Sequence, residues 1–251
     1  MTRPHPDPQP ITPFYEGSDL ETTENLVNYN RWIIDTFTPF LRGHVVELGA
    51  GRGTISRLIE PSVDLLDLVE PSPNLNSVLA ARFGPSPRVK VFGVSLEDHL
   101  REASPESYDA AVLVNVLEHI ADDTGALSAL RHVLKPGGHL LIFVPALAVL
   151  YSRFDRVVGH HRRYHLNVLL PEIRSAGFDI VSARYFDLFG TFPWLILNRI
   201  LGATKLNPAM MSIYDKFITP VSRMFETAIN PPFGKNIILV ARRRMPQGAS
   251  L

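Results

Sequence analysis

Between Gly43 and Phe186 short apolar runs alternate with segments whose apolar residues recur at helical spacing. This β-α-β rhythm predicts a mostly parallel sheet with helices on both faces. The predicted strands are His44–Leu48, Val63–Val69, Arg88–Phe92, Tyr108–Val114, His139–Val144, Phe178–Phe186 and Asn236–Ala241, which makes a seven-stranded sheet. Helices are expected at Thr22–Leu41, through Ile59, and at Asn74–Phe83, Asp122–Leu134 and Leu166–Ala176. Gly43 and Gly177 stop two of them, and the Lys135-Pro136-Gly137-Gly138 turn stops a third. One stretch breaks the rhythm. Asp187–Gly234, rich in Phe, Trp, Leu and Ile, stands between the last two strands and is expected to cover the strand ends as an apolar, α-helical cap. The chain then reads as a mobile proline-rich segment at 1–21, one domain at 22–244 with its cap at 187–234, and a tail at 245–251.

Composition narrows the chemistry. With 251 residues, 45% hydrophobic and 20% charged, the chain can bury a substantial core, and bulk disorder is excluded. Its 25 basic residues balance 25 acidic ones, which argues against a nucleic-acid partner. Cysteine is absent, so disulfides, thiolate nucleophiles and thiolate-bound zinc are excluded. No run approaches the roughly 20 apolar residues of a membrane span, and the first residues lack the apolar core of a signal peptide. A cytoplasmic location is expected.

In an open α/β sheet, ligands bind beyond the carboxyl ends of the strands, where the strand order reverses. At the first such end stands Glu47-Leu48-Gly49-Ala50-Gly51-Arg52-Gly53-Thr54. Closely spaced glycines let the backbone turn tightly and approach a ligand with no Cβ in the way. A dinucleotide site would want glycine where Thr54 stands, which counts against an NAD-dependent oxidoreductase. Glu47 also suits a cationic ligand better than a pyrophosphate. An acidic residue followed by G-x-G-x-G resembles the first motif of class I S-adenosylmethionine (SAM) dependent methyltransferases, the superfamily that includes the ubiquinone and menaquinone methyltransferases. Three more segments match it in order: Glu70-Pro71-Ser72 after the second strand, Ser95-Leu96-Glu97-Asp98 after the third, and Asn115-Val116-Leu117-Glu118-His119 after the fourth.

The resemblance implies a Rossmann-like fold and SAM as cofactor, held by Glu47, Gly49, Ala50, Gly51, Gly53 and Thr54, by Glu70 and Pro71 at the ribose, by Ser95, Leu96 and Glu97 at the adenine, and by Asn115 and Val116 at the methionine part. Methyl transfer needs alignment of the acceptor, and a base only if the acceptor must lose a proton. His119 is one candidate base. The loop Gly159-His160-His161-Arg162-Arg163-Tyr164-His165 supplies others in His160, His161 and Tyr164, with Arg163 for an anionic group. No carboxylate cluster stands beside that loop at ligand spacing, so no metal is assigned. Phe189 and Trp194 of the cap are expected to meet a small-molecule acceptor with a hydrophobic or lipid-like body, and the cap could lie on a membrane surface as a peripheral contact. A SAM- or metabolite-binding regulatory module without turnover is the rival from another functional class. The residues leave the acceptor atom and the oligomeric state open.

Overall fold

The computed structural model describes residues 19–246. The proline-rich segment through residue 18 and the tail from residue 247 lie outside the described residues, while residues 19–21 belong to a first helix, α1 (Asp19–Glu24). Seven strands form one sheet: β1 (His44–Leu48), β2 (Leu65–Val69), β3 (Val89–Phe92), β4 (Tyr108–Val114), β5 (Leu134–Pro145), β6 (Phe178–Phe186) and β7 (Asn236–Arg243). Their order is β3-β2-β1-β4-β5-β7-β6. Only β7 is antiparallel, to both β5 and β6. The mostly parallel Rossmann-like sheet expected from the chain is therefore present, and the strand order reverses between β1 and β4.

Side chains alternate across this sheet into two apolar layers. Val46, Leu48, Ala111, Leu113 and Ile142 bury one face, under α6 (Asp123–Val133) and α8 (Leu166–Ser175). Val45, Leu68, Val112, Leu141 and Phe143 bury the other, under α2 (Val27–Phe37) and α4 (Pro73–Phe83). Burial on both faces explains why the strands read as continuous apolar runs.

Two expectations are corrected. The helix anticipated at Thr22–Leu41 breaks at Leu26, whose ψ of 69° is not helical, and resumes as α2. The cause is remote: the Asp215 carboxylate accepts hydrogen bonds from the backbone N–H groups of Asn28 and Tyr29, at 3.0 and 2.8 Å, and so caps a new helix start. The glycine turn before β5 does not interrupt the strand. Lys135–Gly138 forms a bulge opposite Asp109, because Tyr108 pairs with Leu134 and Ala110 already pairs with His139. Lys135 fastens it through Nζ to Asp109 Oδ2 at 2.7 Å.

Residues 187–235 connect β6 to β7. They contain α9 (Thr191–Trp194), which runs on as a π-helical turn at Leu195–Ile200. A second helical run joins α10 (Pro208–Ile213), a π-helical turn at Tyr214–Ile218 and α11 (Thr219–Ala228). No helix of the described residues is long and apolar enough to cross a membrane.

Candidate active site

The glycine loop leaves β1 at the point of strand reversal, and each of its glycines answers a different demand. Gly49 has φ +70°, and a Cβ there would stand 2.5 Å from Val116 at the end of β4. Gly53, at φ +82°, lies against Phe83 and Leu79 of α4, so its need for glycine is packing rather than ligand access. Gly51, at φ +56°, is the open one: a Cβ would meet only Leu20, at 3.5 Å. The following helix α3 (Ser56–Ile59) has four residues. Anion attraction by a helix dipole is therefore a small contribution here, and the loop's own backbone is what faces a ligand.

Glu70 ends β2 with its carboxylate pointing back at that loop. Oε2 accepts the Gly51 N–H and Oε1 the Ser72 N–H, each at 2.9 Å. A carboxylate offers about four lone-pair sites, so two acceptor positions remain for a pair of vicinal hydroxyls. Glu47 is only 2% exposed and its Oε2 has no hydrogen-bond partner. Burial pushes this carboxyl up to about 8; Ser56 opposes the rise and the charge of Glu70 adds to it. A cation bound in front of the loop would favour its ionised form. Asn115 leaves β4 at φ +54° with its side chain exposed, its N–H held by Phe143 O at 2.8 Å. The space over Gly51, the spare acceptors of Glu70 and the unpaired Oε2 of Glu47 fit a ligand that combines a ribose with a cationic centre.

The loop expected at the adenine opens a helix. Ser95 caps α5 (Leu96–Glu102), accepting the Asp98 N–H at 3.0 Å and donating to Asp98 Oδ2 at 2.9 Å. Leu96 is buried, while Glu97 in the first turn of α5 and Pro71 are exposed and Thr54 is half-buried. Ser95 thus shapes the loop, and Glu97 is the polar side chain left available.

Next to the β4 end the structure assembles a polar cluster around Asp155, a residue of α7 (Arg153–Val157) that is fully buried. Its Oδ1 receives Arg163 Nε at 2.7 Å and pairs with His160 Nδ1 at 2.9 Å; its Oδ2 receives the Ser152 N–H and hydroxyl, both at 2.8 Å. Burial opposes this charge, but the His160, Arg163 and Ser152 contacts prevail and hold the carboxyl down at about 2. An ionised carboxylate can only accept, so His160 donates Nδ1–H to it. His119 stacks edge-on to His160, ring centres 4.7 Å apart. Desolvation, helped by His160 and His161, pushes His119 down to about 4. His161 is exposed, its backbone N–H bonded to Glu118 O at 2.8 Å.

Arg163 and Tyr164 form the framework of this cluster rather than its surface. The Arg163 side chain is 2% exposed, bound to Asp155 and stacked 4.7 Å over the Trp194 ring. The Tyr164 hydroxyl lies 2.9 Å from Asp123 Oδ2, its bond to which lifts the hydroxyl's pKa together with burial. From the cap, Trp194 donates Nε1–H to Leu150 O at 3.2 Å and packs on Phe154. The histidine loop and the cap thus meet at Trp194, as their positions in the chain implied. Phe189 lies deeper in the cap, half-buried, 5.6 Å from the Phe225 ring.

Two features escaped the sequence reading. Glu118 is 0% exposed with neither carboxylate oxygen hydrogen-bonded, and burial pushes it up to about 8. Donor atoms of Glu118, His119 and His160 lie within 4.8 Å of one another, the one such group among the described residues that could hold a metal ion. Lys235, at the foot of β7, pairs with Asp187 at 3.0 Å and points at the rings of Tyr29, Tyr214 and Trp194, 5.0 to 5.8 Å away. The neighbouring Glu-His dipeptide was the available signal for the first; nothing local marks the second.

Glu118 gives a pH test. With its native pKa raised above the unfolded value, the native state holds an extra proton from about pH 4.5 to about 8. Stability from this group is therefore full below that window and falls as pH rises through it. Glu118→Gln, which stays neutral, should melt about 4 °C or more above wild type at pH 8.5 and converge on it near pH 5. Parallel melting curves at both pH values would show that the carboxyl is not held protonated.

Comparison with known proteins agrees with this geometry. The family model for the methyltransferase domain matches residues 26–187. A ubiquinone biosynthesis O-methyltransferase from Xanthomonas campestris pv. campestris (strain B100) is 23% identical over 173 residues, spanning 65% of this chain and 72% of that protein. Among solved structures, an S-adenosylmethionine-dependent methyltransferase from Mesorhizobium loti superposes with a TM-score of 0.61 at 16% identity, over 87% of this chain and 100% of its own. The phosphoethanolamine N-methyltransferase 2 of Haemonchus contortus, solved with S-adenosyl-L-methionine, gives 0.60 at 18% identity, over 91% of this chain and 58% of its own. The chain belongs to the methyltransferase domain family, and it is a SAM-dependent methyltransferase.

Proposed function

We propose that the enzyme methylates a hydroxyl on a small amphiphilic molecule, with SAM seated between the glycine loop, Glu70 and Asn115. SAM supplies an already activated methyl group; the protein's part is to align the acceptor, exclude water and take up the acceptor's proton. Glu70 holds the ribose, Gly51 makes room for it, and Asn115 presents a polar side chain where β4 ends.

One observation carries the choice of acceptor: the Asp155 carboxylate lies 2.9 Å from His160 Nδ1 and orients that ring beside His119, ring centres 4.7 Å apart. A His–carboxylate pair next to the donor site suits a hydroxyl that must lose its proton as the methyl group arrives. A sulfide acceptor would not require it. The apolar cap joined to this loop through Trp194 favours an acceptor with a hydrophobic body. The X. campestris relative, by its name an O-methyltransferase of ubiquinone biosynthesis, supports the same reading.

The test is transfer from methyl-labelled SAM to a panel of phenols and catechols with and without alkyl or prenyl tails. Tailed hydroxyl acceptors should be preferred at least tenfold in kcat/KM over their water-soluble cores. His160→Ala should cut kcat by about 10²-fold or more while SAM affinity stays within threefold. Preference for amines, or indifference to the tail, would refute the assignment.

A further inference from the structure

The second helical run of the cap, residues 208–228, has its amphipathicity turned outward. Its exposed side chains Met210, Ile213, Phe217, Val221 and Met224 recur at intervals of three and four, and form one apolar stripe. The opposite face carries Asp215, Thr219, Ser222 and Glu226, and these polar residues are the buried ones. They are tied to the domain beneath. Asp215 caps α2, while Glu226 accepts the Leu188 N–H at 2.8 Å and pairs with Arg184 at 2.7 Å. A helix in a water-soluble protein ordinarily buries its apolar stripe; here polar anchors fix the reverse orientation. Phe192, Ile196 and Ile200 of the first run repeat the pattern at spacing four, each at least half exposed. Exposed apolar stripes of this kind mark an interaction site.

The charges around it select the partner. Residues 188–234 contain two acids, Asp215 and Glu226, and both are buried. Every charge that this segment presents to solvent is cationic: Arg199, Lys205 and Lys216, with the half-buried Arg223 paired to Asp35 at 2.8 Å. Lys216 lies along the Phe217 ring, its ammonium 5.4 Å from the centroid. Long cationic side chains around an apolar stripe place their stems in a hydrocarbon boundary and their heads among anionic groups. A second copy of the chain fits this face poorly, because twofold pairing would bring two cationic rims together. No helix of the described residues is long and apolar enough to span a membrane.

We propose that the outward face of residues 192–229 docks on an anionic lipid bilayer, with the two helical runs lying in the interfacial plane. The domain then sits with its cap against the lipid. This goes beyond the methyl acceptor and holds whatever its identity.

The test uses the purified full chain with extruded vesicles of phosphatidylcholine alone or mixed with phosphatidylglycerol, in a sedimentation assay. Binding is expected to the mixed vesicles, to weaken as salt rises and to be at least tenfold weaker on phosphatidylcholine alone. Ile213→Ser, Phe217→Ser and Met224→Ser combined change exposed positions only. This variant should keep wild-type SAM affinity and melting temperature while partitioning about a hundredfold less. Lys216→Glu with Lys205→Glu should lower binding to the anionic vesicles but not the residual binding to neutral ones. Wild-type protein that ignores both vesicle types overturns the proposal. So does light scattering that shows a dimer abolished by the serine variant with no vesicle binding. SAM calorimetry run in parallel keeps failure of the docking surface distinct from failure of the methyltransferase site.

Discussion

Asp155→Ala is expected to be the most damaging single substitution in the polar cluster, costing about 3–5 kcal/mol and lowering the melting temperature on the order of 10 °C. The reason is what remains behind. Arg163 stays buried, its side chain 2% exposed, without the carboxylate it pairs with at 2.7 Å. Ser152 loses the acceptor for its N–H and hydroxyl, and His160 loses the partner that fixes its tautomer. The carboxyl is held at about 2, so its contribution persists at neutral pH and is lost only as pH falls from its ordinary range through that value. Calorimetric melting of the single variant and of Asp155→Ala with Arg163→Met would test the account. Removing both charges should recover a good part of the loss, since no unpaired cation is left. A single variant that melts within about 2 °C of wild type would mean that Asp155 is not the hub.

Glu70→Ala should abolish most cofactor affinity while leaving the fold. On the proposed assignment of Glu70 to the ribose, two charge-assisted bonds are lost, each contributing up to roughly 1.5–3 kcal/mol. The substitution also frees the Gly51 N–H that this carboxylate holds at 2.9 Å, so the open part of the loop loses its anchor. A rise of about 10²-fold or more in the dissociation constant for SAM is expected by isothermal titration. Glu70→Gln keeps one oxygen acceptor and should fall between the two. An affinity within threefold of wild type for the alanine variant would move the ribose site elsewhere.

The sheet was legible because burial on both faces turns its strands into apolar runs that no local context disguises. The candidate donor site was legible for a related reason: strand ends, glycines and acids follow one another closely along the chain. What stayed hidden depends on distant partners. Nothing near Leu26 announces that Asp215 will end one helix and begin another. Arg163 looks like a surface cation until Asp155 and Trp194 close over it. Glu118 is an ordinary acid in the sequence, and only the absence of any hydrogen-bond partner in the fold makes it unusual. Helical spacing in residues 208–228 reveals a stripe but not which side of it is buried. That choice is made by where Asp215 and Glu226 find donors.

Both stems of the cap are joined at one place. Lys235 pairs with Asp187 through its side chain and donates its backbone N–H to Asp187 O at 3.2 Å, so β6 and β7 are clasped where residues 188–234 depart. From the sheet's side, that entire excursion is equivalent to a hairpin loop. Closure entropy changes slowly with loop length, about 0.6 kcal/mol per doubling, so the clasp tolerates excursions of very different size. Insertions, deletions or wholesale exchange of the cap can accumulate there without disturbing strand pairing or the glycine loop. The enzyme is in this sense modular: the excursion can diversify at the clasp while the pairing of β6 with β7 stays fixed.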